Sequence, residues 1–404
     1  MADAIRQSLN VPGVVLDPFA GVGTTLVEAI LRGHDAIGFE INPYAALSCR
    51  VKCQAHLIDR NNLESEVTRF RKFFNQRVCS NYKPMATPPH GFKTRSAFFS
   101  PSVLKKVLIF QDFVDTIAAP DTRDLFKLAF GSTMVQYSNY SYEPSLGRRA
   151  SVGKPDIDDS PVDHAIMAKL AQMIEDIAWL QSRVPTRMST SQVFNESFLT
   201  RNDLVPSGSV DLIVTSPPYL NNYHYNRNTR PQLYWLGYKR DAGAFRSLEV
   251  ANFGKYWQTV RELDRVDLDF SLPDLDLAET LERLRSLNPE KGIYGGRGWA
   301  NYAASYFNDC YRFALSAARV LRPGGRALIV IGNSILQGVA IATDQYLGEI
   351  GRSVGLELLG ITIPRATRVG NSILGSSARA SPVKGAYGLY EAVVELRKLP
   401  SNLS

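Results

Sequence analysis

Cysteine and histidine are scarce in this chain: four of the first and five of the second in 404 residues. Cys79 and Cys310 stand alone, while Cys49 and Cys53 lie four apart on a stretch that reads as a helix, with no second pair beside them. Four scattered cysteines do not make a disulfide framework, and the four-residue spacing fits a buried helical face. Cys310 also falls on a helical stretch and is expected in the core. His34, His56, His90, His164 and His224 do not cluster, so no metal site is expected. No run of about 18 apolar residues occurs, which excludes a membrane-spanning helix and makes a membrane partner unexpected. The opening MADAIRQSLN lacks the basic and apolar stretches of a secretory signal, so the expected location is the cytoplasm.

What remains is an ordinary apolar fraction, 45%, and a net charge of +7 that fits a polyanionic partner without requiring one. GVVLDPFAGVGTTLVEAILRGHDAIGFEINPYAALSCRVKCQ has a strand-helix-strand-helix rhythm. Val14 to Leu16 are apolar, a glycine turn follows, a helix is predicted from about Thr24 to Leu31, and AIGFEI makes a second strand. This pattern predicts an α/β fold with a parallel sheet and helices on both faces. Helical spacing then dominates from about 55 to 190, interrupted at 138–161 by a Ser, Gly and Pro-rich stretch that reads as a loop. The sheet is expected to resume with QVFNES, VDLIVTSPPY, GRALIVIGNS, LELLGITIP and YEAVVELRK. Residues 222–298 read as an irregular insertion, with one short helix near Leu277 to Leu287. The expected organisation is therefore a discontinuous domain of 1–54 and 190–400, a large mainly helical insertion at 55–189, and the irregular insertion at 222–298.

Two turns carry chemistry. In LDPFAGVGTT, Gly21 and Gly23 stand where a strand becomes a helix. Glycines there admit a ligand close to the backbone, and free N–H groups at a helix start favour a carboxylate or phosphate. A dinucleotide turn would carry a third glycine where Leu26 stands, which argues against NAD. Glu40 closes the second strand about 20 residues on, where a carboxylate can accept from both hydroxyls of a ribose. Taken alone the glycine turn also fits any α/β protein; with Glu40 in register the pocket suits a nucleoside joined to a carboxylate, as in S-adenosylmethionine.

The second turn is SPPY, residues 216 to 219. Pro217 and Pro218 fix φ and remove two N–H donors, leaving stiff outward carbonyls at a strand end. A planar ring with an exocyclic amine could donate to the Ser216 hydroxyl and the Pro217 carbonyl while stacking on Tyr219, a contact worth about 1–3 kcal/mol. PPY alone also fits a proline-ended strand with a surface tyrosine. Its pairing with DPFAGVGTT favours the base-binding reading.

Together the two motifs resemble those of the amino-group DNA methyltransferases, with a cofactor turn of the F-x-G-x-G type and a catalytic turn of the [SDN]-PP-[YFW] type. The resemblance covers about residues 13–53, 190–235 and 300–398, where ARVLRPGGRALIVIGNS is similar to a later strand of the family. It implies a Rossmann-like class I methyltransferase sheet and S-adenosyl-L-methionine as cofactor. Asp17, Phe19, Ala20, Gly21, Gly23, Thr24 and Thr25 would line its methionine end, Glu40 and Ile41 its ribose, and Glu196, or Asp203 instead, its adenine. Ser216, Pro217, Pro218 and Tyr219 would hold the target base. SPPY resembles the cytosine-N4 branch more than the adenine-N6 branch, where Asp or Asn is commoner at the first position.

The resemblance further implies direct methyl transfer to a flipped base in double-stranded DNA, in a restriction-modification or phage-defence setting with a cognate endonuclease or other defence subunit as partner. Arg148, Arg149, Asn221, Asn222, Arg227 and Arg230 are the expected DNA contacts, with Arg365, Arg368 and Arg379 as further basic candidates. Two departures stand out. About a dozen residues precede Val14, where the family usually has a further methionine-binding segment, so that piece is expected to be truncated, relocated or supplied by a partner. About 190 residues separate the two turns, a gap expected to house target recognition. The competing readings are adenine-N6 methylation, methylation of RNA or a protein glutamine, and a non-catalytic DNA-binding subunit of the same fold.

Overall fold

The structure is a computed structural model that describes residues 2–142, 145–185, 189–220, 225–239, 241–366 and 388–400. The chain divides into two compact units, one of Met1–Ile41, Ser189–Tyr223 and Ser247–Ser404, the other of Asn42–Met188 and His224–Arg246.

The first unit is built on a seven-stranded sheet. Its strands are β1 (Val14–Asp17), β2 (Asp35–Phe39), β3 (Ser191–Phe194), β4 (Val210–Thr215), β5 (Leu321–Gly332), β6 (Leu356–Ala366) and β7 (Tyr390–Lys398). Their order is β6-β7-β5-β4-β1-β2-β3. Neighbours from β5 to β3 are parallel, and β7 runs antiparallel to both of its partners. Strand β4 explains why an unbroken apolar run becomes a central strand: Leu212, Ile213, Val214 and Thr215 are all buried, so both faces are covered. The long helix Gly296–Val320 supplies Phe307, Cys310, Phe313 and Ala314 to the same core as Leu16, Ile213 and Ile329. Each fully buried Leu, Ile or Phe among them contributes about 1.5–3 kcal/mol relative to exposure. The chain fills the sheet in opposite directions from β1 and β4, so the carboxyl edge of this strand pair is the switch point where α/β sheets bind ligands.

The second unit is mainly helical. Three of its helices start on side-chain caps: Asn42 accepts from Tyr44 and Ala45 N–H ahead of Pro43–Gln54, Asp59 caps Arg60–Val78, and Ser100 caps Pro101–Asp115. Phe70, Phe110, Phe113, Phe126 and Phe130 are buried in its core, with ring pairs such as Phe70 and Phe113 at 5.1 Å.

The structure differs from the sequence reading in three places. The helix Pro43–Gln54 groups with the helical unit, because Gly131 on Pro120–Thr133 leaves no room for a Cβ beside the Tyr44 ring. The stretch 138–161 is not only loop: Tyr140–Tyr142 pairs with Leu146–Arg148, and a 3₁₀ turn covers Arg149–Val152. Residues 224–246 belong to the helical unit rather than to one continuous irregular insertion. Their anchor is Arg230–Trp235, whose Leu233, Tyr234 and Trp235 are buried, with Trp235 edge-on to Phe99 at 5.0 Å.

Candidate active site

The glycine turn leaves β1 and enters the helix Thr24–Ile30. Gly21 has φ +52 and Gly23 has φ +89, the left-handed region that a side chain makes costly. A Cβ on Gly21 would meet nothing within 4 Å, so the backbone there borders open space. The Gly21 N–H donates to Glu40 Oε2 at 3.0 Å, and the Ala20 N–H donates to the Phe39 carbonyl at 2.9 Å. Glu40 thus shapes the turn as well as standing at the end of β2. Asn195, which the sequence reading passed over, donates from one amide to the Glu40 carbonyl at 2.7 Å and the Ile41 carbonyl at 3.1 Å. Its only signal was its place beside Glu196. Glu196 itself is exposed and lies 3.8 Å from Arg201, which also pairs with Asp203 at 3.2 Å. Thr24 is exposed at the helix start and Thr25 is buried behind it.

Asp17 is 3% exposed. Its Oδ1 accepts from the Phe19 N–H at 3.1 Å and from the Thr215 hydroxyl at 2.6 Å. This contact joins the two motifs directly, since Thr215 is the last residue of β4 and Ser216 follows it. Phe19 turns its ring onto Phe253 and Phe313, with centroids at 5.0 and 5.7 Å. Burial raises the Asp17 pKa, with the Thr215 hydrogen bond opposing it. A carboxyl whose folded pKa is raised stabilises the fold most below its unfolded value, and that contribution is lost as pH rises through the folded one. Asp17→Asn keeps an acceptor and removes the buried charge. Its melting temperature is expected to match or exceed that of the parent at pH 8, with the difference shrinking toward pH 4; a difference that widens on acidification would contradict this.

The second turn is held from four sides. The Tyr306 hydroxyl donates to the Pro218 carbonyl at 3.0 Å, and the Ser334 hydroxyl to the Leu220 carbonyl at 2.5 Å. These donors occupy carbonyls that a proline turn cannot bond internally. Ser216 Oγ donates to the Tyr219 hydroxyl at 3.4 Å, which donates to Glu391 Oε1 at 3.2 Å. Gly332, at the end of β5, makes room for the tyrosine: a Cβ there would lie 2.9 Å from Tyr219 Cδ2. Among the described residues nothing donates to the Pro217 carbonyl. Tyr306 is buried, which pushes its hydroxyl pKa well up and keeps it a donor. Tyr306, Gly332, Ser334 and Glu391 come from distant sequence, so nothing around SPPY announced them.

The basic candidates Arg148, Arg149, Arg227 and Arg230 all belong to the helical unit. Arg149 donates to the Pro155 carbonyl at 2.8 Å. Arg230 donates to the Lys93 carbonyl at 3.2 Å and lies 5.6 Å from the ring centres of Phe92 and Tyr234. Arg227 is exposed and makes no hydrogen bond or ion pair among the described residues. Asn221, Asn222, Arg368 and Arg379 lie outside the described residues, and Arg365 lies on β6.

The model of the amino-group (N6/N4) family described as DNA methylase matches residues 1–48, the stretch that holds the glycine turn and Glu40. The Type II methyltransferase M.BsoBI of Geobacillus stearothermophilus is 24% identical over 395 residues, covering 89% of this chain and 75% of that protein. The Type II methyltransferase M.AvaI of Nostoc is 24% identical over 400 residues, covering 92% of this chain and 79% of its own. A solved Thermus thermophilus structure, described as a DNA modification methylase complexed with S-adenosyl-L-methionine, aligns at 16% identity and a TM-score of 0.25, over 51% of this chain and 55% of its own. Over most of its length the chain is thus similar to Type II DNA methyltransferases, and its first 48 residues match the amino-group DNA methylase model.

Proposed function

We propose that the protein is a Type II DNA methyltransferase that transfers a methyl group from S-adenosyl-L-methionine to the exocyclic N4 amine of a flipped cytosine in duplex DNA. The observation that carries this reading is the 2.6 Å contact between Asp17 and Thr215, which puts the glycine turn and the Ser-Pro-Pro-Tyr turn side by side on adjacent strands. The cofactor supplies an electrophilic methyl when bound. The residues fit it: Gly21 borders open space and Glu40 offers a carboxylate at the end of β2. Asp17, Phe19, Ala20, Gly23, Thr24, Thr25 and Ile41 complete the surrounding turn, and Glu196 extends it at the end of β3.

An exocyclic amine is a poor nucleophile because its lone pair is delocalised into the ring. Ser216 Oγ and the Pro217 carbonyl accept hydrogen bonds from its two N–H groups, hold the nitrogen near tetrahedral geometry and localise the pair. Pro218 stiffens the turn and Tyr219 offers its ring to the base. Flipping that base costs a few kcal/mol, offset by stacking and backbone contacts. Serine at 216 favours cytosine N4; the second reading, adenine N6, keeps every other residue in the same role. Digestion of methylated duplex to nucleosides and mass spectrometry decides between them: N4-methyl-2′-deoxycytidine is expected, and N6-methyl-2′-deoxyadenosine overturns the assignment.

The helical unit is the proposed DNA-backbone reader. It holds 25 Lys and Arg against 15 Asp and Glu, a net +10, while the remaining 21 basic and 24 acidic residues leave the sheet unit at −3. Positive charge concentrated in one unit suits phosphate contact. Arg227→Ala is expected to leave the melting temperature unchanged and to reduce the slope of log affinity against log salt by about 1. Arg230→Ala is expected to lower the melting temperature, because its guanidinium is engaged within the unit. Equal salt slopes for Arg227→Ala and the parent would remove Arg227 from the DNA contacts. A cognate endonuclease is the partner this function calls for.

A further inference from the structure

Where the base-facing residue is a serine, the turn lacks a carboxylate of its own. Serine is too weak a base to keep the proton that a methylated amine must lose. In this structure Ser216 is nevertheless linked to a carboxylate. Its hydroxyl donates to the Tyr219 hydroxyl at 3.4 Å, and that hydroxyl donates to Glu391 Oε1 at 3.2 Å, so both bonds point outward from the serine. The distances are long for hydroxyl donors, as is common in sites without substrate. The chain of bonds is also structurally fixed at its far end. Glu391 lies near the start of β7, paired in register with Gly332 on β5 and Arg365 on β6. Gly332 is the residue whose missing Cβ lets the tyrosine ring reach this position.

We propose that Glu391 is the terminal proton acceptor of the transfer, reached from Ser216 through the Tyr219 hydroxyl. This assignment rests on the methyltransferase reading of the same turn. As the amine lone pair forms the new N–C bond, the S–C bond breaks and its electron pair stays on sulfur. One amine proton passes to Ser216 Oγ, the serine proton passes to Tyr219 Oη, and the tyrosine proton passes to Glu391. Serine and tyrosine end neutral, the carboxylate ends protonated, and the product amine ends uncharged. Before transfer, the same polarity makes Ser216 Oγ a better acceptor, because a hydroxyl that donates to a charged chain accepts more strongly. The tyrosine therefore has two separable parts: a ring that any aromatic residue replaces, and a hydroxyl that phenylalanine lacks.

The test uses the full chain with duplex DNA carrying 2-aminopurine at the target position, and single-turnover methyl transfer on the unlabelled duplex. Glu391→Gln and Tyr219→Phe are each expected to slow the transfer about tenfold to a hundredfold, within the range for proton-transfer catalysis. Duplex affinity, 2-aminopurine emission and S-adenosyl-L-methionine affinity are expected to stay within about twofold of the parent in both. The double variant is expected to be no slower than the slower single one, because both break one chain. Transfer at the parental rate in either single variant overturns the relay, as does multiplication of the two effects in the double variant. A loss of rate that tracks a loss of duplex affinity or base flipping also overturns it, leaving Glu391 a structural role. If the parent protein transfers methyl to no base at all, the enzymatic reading itself fails, an outcome distinct from a parent that is active alongside an unaffected Glu391→Gln.

Discussion

Ser216→Ala is expected to lower single-turnover methyl transfer by about 10²–10³-fold, the usual result of removing one acceptor or donor preorganised for a transition state. The alanine keeps the backbone between Thr215 and Pro217, and the supports from Tyr306 to Pro218 and from Ser334 to Leu220 do not involve the serine side chain. Cofactor affinity is accordingly expected to hold, since Ser216 is absent from the glycine turn and from Glu40. Isothermal titration with S-adenosyl-L-methionine and a radiolabel assay on duplex DNA measure the two quantities separately. Parental transfer in Ser216→Ala would remove the turn from the chemistry, and a parallel loss of cofactor affinity would show that the substitution disturbs both turns through Thr215 and Asp17.

The second large effect falls on Glu40. Its carboxylate accepts from the Gly21 N–H, and Gly21 already sits at φ +52. Glu40→Ala therefore removes the proposed ribose acceptor and one of the bonds that fix the turn. Hydrogen bonds to a charged group are worth about 1.5–3 kcal/mol each, so S-adenosyl-L-methionine affinity is expected to fall by at least about tenfold and the rate at saturating cofactor to change far less. Glu40→Gln retains an oxygen for Gly21 and is expected to lie between the two. Unchanged cofactor affinity in Glu40→Ala would place the ribose elsewhere.

The sheet was readable from sequence because its signals are local. β1, β2 and β4 are short apolar runs ended by turn residues, and the glycine turn and the double proline each declare a backbone constraint by residue type alone. The supports were not readable. Tyr306 lies in the middle of a 25-residue helix, where an aromatic residue normally reads as core, and only folding brings its hydroxyl to the Pro218 carbonyl. Glu391 sits in an alternating strand among Val393, Val394 and Leu396, and nothing there distinguishes it from a solvated charge. The unit boundary failed for a similar reason. The helix after β2 continues the βα rhythm, but its Tyr44 packs against Gly131 of the helical unit, a contact made across nearly 90 residues of chain. The charge division between the units was hidden by the whole-chain value of +7.

The chain passes between its two units four times, at Ile41/Asn42, Met188/Ser189, Tyr223/His224 and Arg246/Ser247. Exchanging the helical unit, the proposed DNA reader, therefore means moving 42–188 and 224–246 in concert. Moving the long piece alone would strand Trp235 without the Phe99 and Phe130 rings it lies against at 5.0 and 6.5 Å. Natural exchange by recombination faces the same arithmetic: a single crossover between the two pieces yields mismatched halves of one hydrophobic core.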